Sequence, residues 1–213
     1  MYDYTLYIIL IFLENLVFVG AHPDDAEIWA GGTLLKHKDR GAKVSLVVRN
    51  AEDLNKQEIA EQQNVCDKAE FDLIWYSTRQ ELIEAVTKIA PDIFITHWDE
   101  DSHPTHRLVS QDAIEAIAKC MHKNGTPTEM YYCNTYNALG RNGQFEPNHY
   151  VDITDYTEKK RELIRYFESK NPENWIRYTE QLTTLYGMRC WTDHAEGFRR
   201  FTMRGFYGAG SKL

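Results

Sequence analysis

Leu16-Val17-Phe18-Val19-Gly20 is a short apolar run that leads without a break into Ala21-His22-Pro23-Asp24-Asp25-Ala26-Glu27. A continuous apolar run of this length suits a strand covered on both faces, because neither side of its pleat meets water. A helical pattern follows from about Glu27 to Arg40, with Gly41 where a helix stop is expected. Lys43 to Val48 then reads as a strand, Lys56 to Ala69 as an amphipathic helix, Phe71 to Tyr76 as a strand, Gln80 to Ile89 as a helix and Asp92 to His97 as a strand. Arg107 to His122 is another helix, ended by Asn124-Gly125. This alternation predicts an α/β protein, Rossmann-like, with a mostly parallel sheet and helices on both faces.

The second half is more mixed. Met130 to Tyr136 reads as a strand, and Asn137 to Asn148, rich in Gly, Asn and Pro, reads as a long loop. Tyr150 to Ile153 is a short strand, and Asp155 or Thr157 caps a helix running to about Ser169. Asn171-Pro172 is a helix-start signal for a segment continuing to about Met188. No repeat or linker interrupts the chain, so one domain over 1–213 is expected, with 1–14 as an extra apolar segment. The run Leu6 to Leu13 within it is too short to span a bilayer, which takes about 20 residues. It also lacks the basic flank of a signal peptide. A buried strand, an edge element or a subunit contact is its expected use, which leaves a homo-oligomer open.

Composition narrows the function. Lys and Arg number 24 against 32 Asp and Glu, a net charge of −8. An excess of anions argues against binding a nucleic-acid backbone. Cys66, Cys120, Cys133 and Cys190 form no Cys-x-x-Cys pair, so neither a zinc knuckle nor a disulfide framework is indicated, and a reducing, cytoplasmic setting is expected.

In open α/β sheets ligands bind outside the carboxyl ends of the strands. Two clusters of metal-ligand side chains fall at such ends: His22 with Asp24, Asp25 and Glu27 after the first strand, and His97 through Asp99, Asp101, His103 and His106 after the fourth. Like charges so close in sequence raise one another's pKa, and a cation relieves the conflict. Imidazole with carboxylate suits zinc or another first-row divalent ion, and two His with one Asp leave a coordination place for water.

Ala21-His22-Pro23-Asp24-Asp25-Ala26-Glu27 followed by Gly31-Gly32-Thr33-Leu34 resembles the signature of the PIG-L/LmbE family of metal-dependent sugar de-N-acetylases. His103-Pro104-Thr105-His106 resembles the family's second motif. Phe145-Glu146-Pro147-Asn148 with Val151 to Thr154 and Lys160 resembles its third, and Ala195-Glu196-Gly197-Phe198 its C-terminal element. The resemblance implies one zinc ion per chain, held by His22, Asp25 and His106. It implies Asp24 as general base on the water, and His103 as the group that stabilises the oxyanion or protonates the leaving amine. His97, Trp29, Phe145 and His194 are the expected substrate contacts, with His97, at the end of the fourth strand, alternatively a partner behind the metal ligands, and the substrate is expected to carry an N-acetylated amino sugar such as N-acetylglucosamine. Thr105 departs from the family, which has an aspartate there. Asp99 or Asp101 is therefore expected to stand against the His103 ring in its place. His37 and His122, on polar helix stretches, are expected to be solvated. A metal-dependent amidase for another acylated amine or a sugar–thiol conjugate, and a non-catalytic ligand-binding member, are the alternatives.

Overall fold

The computed structural model describes residues 14–125 and 128–202. The apolar run Leu6 to Leu13 lies outside them. The elements run β1 (Asn15–Gly20), α1 (Asp25–Asp39), β2 (Lys43–Arg49), α2 (Lys56–Ala69), β3 (Asp72–Tyr76), α3 (Arg79–Ile89), β4 (Ile93–Thr96), α4 (Pro104–Asn124), β5 (Glu129–Tyr132), β6 (His149–Asp152), α5 (Thr157–Arg165), α6 (Pro172–Cys190) and β7 (Ala195–Phe201). They build a seven-stranded sheet in the order β3-β2-β1-β4-β5-β7-β6. The first five strands pair in parallel, while β7 is antiparallel to both β5 and β6.

The continuous apolar strands are apolar because both faces are covered. Leu16 and Phe18 of β1 join Leu46 of β2 and Ile95 of β4 in a core beneath α1 and α2. Val17 and Val19 point the other way, joining Val47 and Phe94 against Leu82 and Val86 of α3 and Val109 and Ala113 of α4. From β1 the chain builds outward through β2 to β3, then crosses back to lay β4 on the other side of β1. The topological switch point is thus between β1 and β4. Register pairs Val19 with Thr96, which sets the loop after Gly20 directly beside His97.

Several elements differ from the sequence reading, and β5 ends at Tyr132 rather than Tyr136. Helix α4 begins at Pro104 rather than Arg107, with His103 at its N-cap, so His106 sits in the first helical turn. The helix after Thr157 ends at Arg165, and Glu168–Lys170 forms a separate short 3₁₀ turn. Strand β7 carries a glutamate at its second position, which breaks an apolar strand pattern in the sequence. That glutamate is buried and paired: Glu196 Oε1 accepts from Lys160 Nζ at 2.5 Å. His37 is buried rather than solvated, because Glu14 reaches its Nδ1 at 2.8 Å; His122 is exposed as expected. Among the described residues no helix is long and apolar enough to cross a membrane.

The Lys160–Glu196 pair fixes α1 to the rest of the molecule. Glu196 accepts from the main-chain N–H groups of Gly32 and Thr33 at 3.0 and 2.8 Å, and Lys160 Nζ donates to the Ile28 carbonyl at 2.8 Å. Both residues of the pair therefore bond α1 at mid-helix. The close approach requires the glycines. A Cβ on Gly32 would come within 2.8 Å of Ile153, and one on Gly31 within 3.3 Å of the Lys160 stem. Lys160→Met should leave Glu196 buried without its cation and cost about 3–5 kcal/mol of stability. Urea unfolding checks this, and a cost below about 1 kcal/mol would show that the pair does not hold the helix.

Candidate metal centre and active site

The chain turns sharply after β1. Asp24 has φ 93° and ψ −22°, a left-handed conformation that aspartate tolerates better than most residues but that still carries strain. Two interactions hold it there. The Asp24 carbonyl accepts from Ile28 N at 2.9 Å, opening α1, and the Asp24 N–H donates to Gln62 Oε1 at 3.3 Å. Gln62, buried on α2, donates its own amide to Glu27 Oε1 at 3.0 Å. Burial raises the Glu27 carboxyl to about 7. The next residue, Asp25, points back into the turn and accepts from Ala21 N at 3.0 Å and His22 N at 2.7 Å.

Three side chains then converge, Asp25 with a different carboxylate oxygen toward each histidine. His106 Nε2 is 3.3 Å from His22 Nδ1 and 3.5 Å from Asp25 Oδ1, and His22 Nδ1 is 3.5 Å from Asp25 Oδ2. Ligands about 2.0–2.1 Å from a tetrahedral ion stand about 3.3–3.4 Å apart. These separations are of the size a small divalent cation spans, and the groups His22–His103–His106 and Asp25–His97–His106 each bring one ligand atom per residue within 4.8 Å of one another. The protonation pattern suits one as well. Asp101 Oδ2 takes His106 Nδ1 at 2.8 Å, and since a carboxylate only accepts, Nδ1 is the donor and Nε2 faces the other two ligand atoms. Burial opposes charge on His106, yet Asp25 and Asp101 outweigh it and raise the imidazole to about 10. Burial likewise opposes charge on Asp25, and His97 and His106 outweigh that to hold its carboxyl well below the usual range. This floor is anionic enough to retain a positive charge.

The floor opens into a cavity of about 350 Å³ lined by His22, Asp24, Asp25, His103 and His106, with Trp29, Tyr136 and Trp175 on its walls. Burial first, then the charge of Asp25, raises the Asp24 carboxyl well above its usual value. The structure thus brings together His22, Asp24, Asp25, Trp29, His103 and His106. It does not bring in the other three expected substrate contacts. His97 is wholly buried behind the floor, stacked on His106 at 3.9 Å with its Nε2 3.1 Å from Asp25 Oδ2, so no substrate reaches it. Phe145 is buried against Trp98, and His194 lies on the turn before β7 with its Nδ1 3.2 Å from Thr183 Oγ1.

The expected acid beside the His103 ring is not there either. Asp101 bonds the His103 main-chain N–H at 2.7 Å and spends its other oxygen on His106. Asp99 faces Tyr132, and His103 Nδ1 is buried without a hydrogen-bond partner. Asp101 therefore caps the start of α4 and orients His106, while His103 is left without a carboxylate. Gln62, Tyr136, Lys170 and Trp175 also belong to the site and carry no local motif in the sequence.

Residues 17–117 match the family model described as PIG-L, GlcNAc-PI de-N-acetylase. Over that stretch the chain is similar to the family. It is 25% identical over 225 residues to a diacetylchitobiose deacetylase of Thermococcus kodakarensis, covering 88% of this chain and 83% of that protein. Solved structures that share its fold include two of contrasting chemistry. One is an N,N'-diacetylchitobiose deacetylase from Pyrococcus horikoshii (TM-score 0.71, 23% identity, 88% of this chain and 84% of the other). The second is GalB, a 4-carboxy-2-hydroxymuconate hydratase from Pseudomonas putida (TM-score 0.76, 16% identity, 93% and 100%). One fold thus hosts more than one chemistry, and the reaction must be argued from the site.

Asp101→Asn tests the orientation of His106. The amide oxygen can still accept from His103 N, so the helix cap survives, but the amide nitrogen cannot accept from His106 Nδ1. Affinity for a divalent cation should fall about 10–100-fold, read by competition with a chelator. Unchanged affinity would mean that Asp101 acts only as a cap.

Proposed function

We propose that this protein is a zinc-dependent hydrolase that removes an N-acetyl group from a substrate containing an amino sugar. The convergence of His22, Asp25 and His106 beneath an aromatic-walled cavity, with Asp24 at the edge of that triad, carries the reading. The family match and the deacetylase relatives support it. Two nitrogens and one oxygen from the protein leave a fourth place open, the arrangement of catalytic rather than structural zinc. An ion held there supplies a Lewis acid for the acetyl oxygen and lowers the pKa of water.

The chain's own residues do the rest. Hydrolysis adds one water: its oxygen bonds to the acetyl carbon, the C–N bond breaks, and acetate and a free amine leave. Asp24 takes the proton that the water loses on attack, a task helped by a carboxyl made more basic by burial and by Asp25. His103, facing the same cavity, hands a proton to the departing nitrogen. Trp29, Tyr136 and Trp175 offer flat apolar faces to the C–H faces of a sugar ring. All four cysteines are free thiols, in keeping with a reducing, cytoplasmic setting.

Acetate release from a panel of N-acetylated sugars and non-sugar acetamides tests the reading, because turnover confined to non-sugar amides would favour the general amidase alternative. Asp24→Asn should keep the metal and lose about 10²–10⁴-fold in kcat, whereas His22→Ala should lose the metal, as measured by elemental analysis. Full metal in His22→Ala, or near-normal turnover in Asp24→Asn, would overturn the assignment.

The alkaline side of the pH profile reports on His103. A proton donor must be protonated, so the rate falls as pH rises through its pKa. Burial, then His106 and His22, hold that pKa below the usual histidine value. The fall should therefore begin early. Thr105→Asp supplies a carboxylate within the motif, which should raise the His103 pKa, move the limb to higher pH and increase kcat. A limb that does not move would remove His103 from the role of acid.

A further inference from the structure

Gln62 is 1% exposed, and both ends of its amide are engaged. Oε1 accepts from the Asp24 main-chain N–H at 3.3 Å, and Nε2 donates to Glu27 Oε1 at 3.0 Å. The N–H of Asp24 can only donate, so the amide oxygen must face it and the amide nitrogen must face Glu27. The helix that carries Gln62 is itself held. Asn55 Oδ1 accepts from the main-chain N–H groups of Gln57 and Glu58, and the Glu58 carboxylate accepts in return from Asn55 N at 3.0 Å. Glu61 accepts from Ser169 N at 3.0 Å. Glu58, Glu61 and Gln62 share one buried face of α2, at i, i+3 and i+4.

That face meets a strained position. Asp24 follows Pro23, stands at the N-cap of α1 and has φ 93°. An N-cap aspartate ordinarily has extended backbone and spends its carboxylate on the N–H groups of the first helical turn. The Asp24 carboxylate makes no such cap bond and lines the catalytic cavity instead. The left-handed turn thus keeps the carboxylate for the cavity, and the Asp24 N–H is left to Gln62.

We propose that Gln62 is the positioning residue for Asp24: its amide holds the turn that keeps the Asp24 carboxylate in the cavity and off the start of α1. The catalytic consequence rests on the function proposed above, in which Asp24 takes the proton from water; the hold on the turn rests on the two hydrogen bonds. An apolar side chain of the same length would leave the Asp24 N–H and Glu27 without partners. A carboxylate at position 62 would set acceptor against acceptor at Glu27. In either case Asp24 is released to the extended conformation of an ordinary N-cap, with its carboxylate turned onto the helix. A misplacement of about 1 Å costs about 10²-fold in rate.

The test uses Gln62→Met, Gln62→Glu and a swap that combines Gln62→Glu with Glu27→Gln, each compared with the native protein by urea unfolding. The swap keeps the charge count and reverses one bond: the new amide at position 27 donates to the new carboxylate at position 62, whose other oxygen accepts from Asp24 N. The first readout, hydrogen exchange of the Asp24 amide with and without zinc, needs no turnover. Gln62→Met should speed it about tenfold, the worth of one hydrogen bond, while the Ala21 and His22 amides, held by Asp25, keep their protection. The second readout is acetate release from those N-acetylated compounds that the native protein turns over. Gln62→Met and Gln62→Glu should lower kcat about 10–100-fold, with KM and zinc affinity within about twofold of native, and the swap should recover most of kcat. A merely structural glutamine would lower the urea midpoint and leave kcat of the folded protein unmoved. Unchanged protection of the Asp24 amide or unchanged kcat in Gln62→Met would overturn the positioning role, as would a swap that recovers stability but not kcat. If Gln62→Met does not fold, Gln62→Glu against the swap decides in the same way: recovery of protection and kcat supports the role, and failure to recover overturns it. Loss of Asp24 protection in Gln62→Met, in a protein whose native form releases no acetate, would leave the hold on the turn standing and remove the deacetylase reading.

Discussion

Asp25 is a carboxylate taken almost wholly out of water, and it stays charged because four groups surround it: the amides of Ala21 and His22 and the imidazoles of His97 and His106. An isolated buried carboxylate would neutralise itself by taking up a proton. Here the cost of burial is offset by fixed dipoles and by positive charge shared across the β1–β4 crevice. That single requirement dictates much of the local architecture. It needs a turn tight enough to aim two successive amides at one side chain, which forces Asp24 into the left-handed region. It needs His97 at the end of the neighbouring strand, held flat beneath His106. It needs a second carboxylate, Asp101, to keep the opposite nitrogen of His106 occupied.

Precision of this kind depends on α1 staying where it is, since Asp24 and Asp25 open that helix. The Lys160–Glu196 pair reaches the same helix two turns further on, from α5 and β7, and bonds its main chain instead of merely packing on it. A buried ion pair is seldom the most stable way to fill a core. Its use here is geometric: directional bonds fix the rotation and height of a helix more tightly than apolar contact does. The antiparallel strand β7, which departs from the parallel pattern of the sheet, exists in part to deliver Glu196 to that position.

The parallel half of the fold was legible in the sequence because its strands, apolar on both faces, and its amphipathic helices with glycine or asparagine stops are local patterns. The two ligand-bearing stretches were legible because they stand directly after predicted strands. What escaped the sequence reading depends on distance. Gln62 meets Asp24 across 38 positions, and nothing in a polar amphipathic helix marks one glutamine as buried. Asp101 was expected to serve His103, two residues away, but the early start of α4 turns His106 toward it instead. His37 looked solvated because its neighbours are polar, and only the fold places Glu14 against it. Phe145 and His194 carry side chains suited to a pocket, and packing committed both of them elsewhere. Trp175 enters the site from a helix whose sequence shows its extent but not which face meets the cavity.

His22 and His106, two corners of the donor triangle, are 84 residues apart in sequence. Their donors do not meet until β4 has docked beside β1, and closing so long a segment carries an entropic cost that the unfolded chain has no reason to meet. The unfolded polypeptide therefore offers a cation only the local pair of His22 and Asp25, whereas the folded crevice offers three donors already in place. By mass action, an ion that binds only the native form contributes about 2.7 kcal/mol of stability at one hundred times its dissociation constant. On the proposed function, resistance to unfolding would follow the supply of metal in the surroundings, and starvation for the ion would lower the persistence of the chain along with its chemistry.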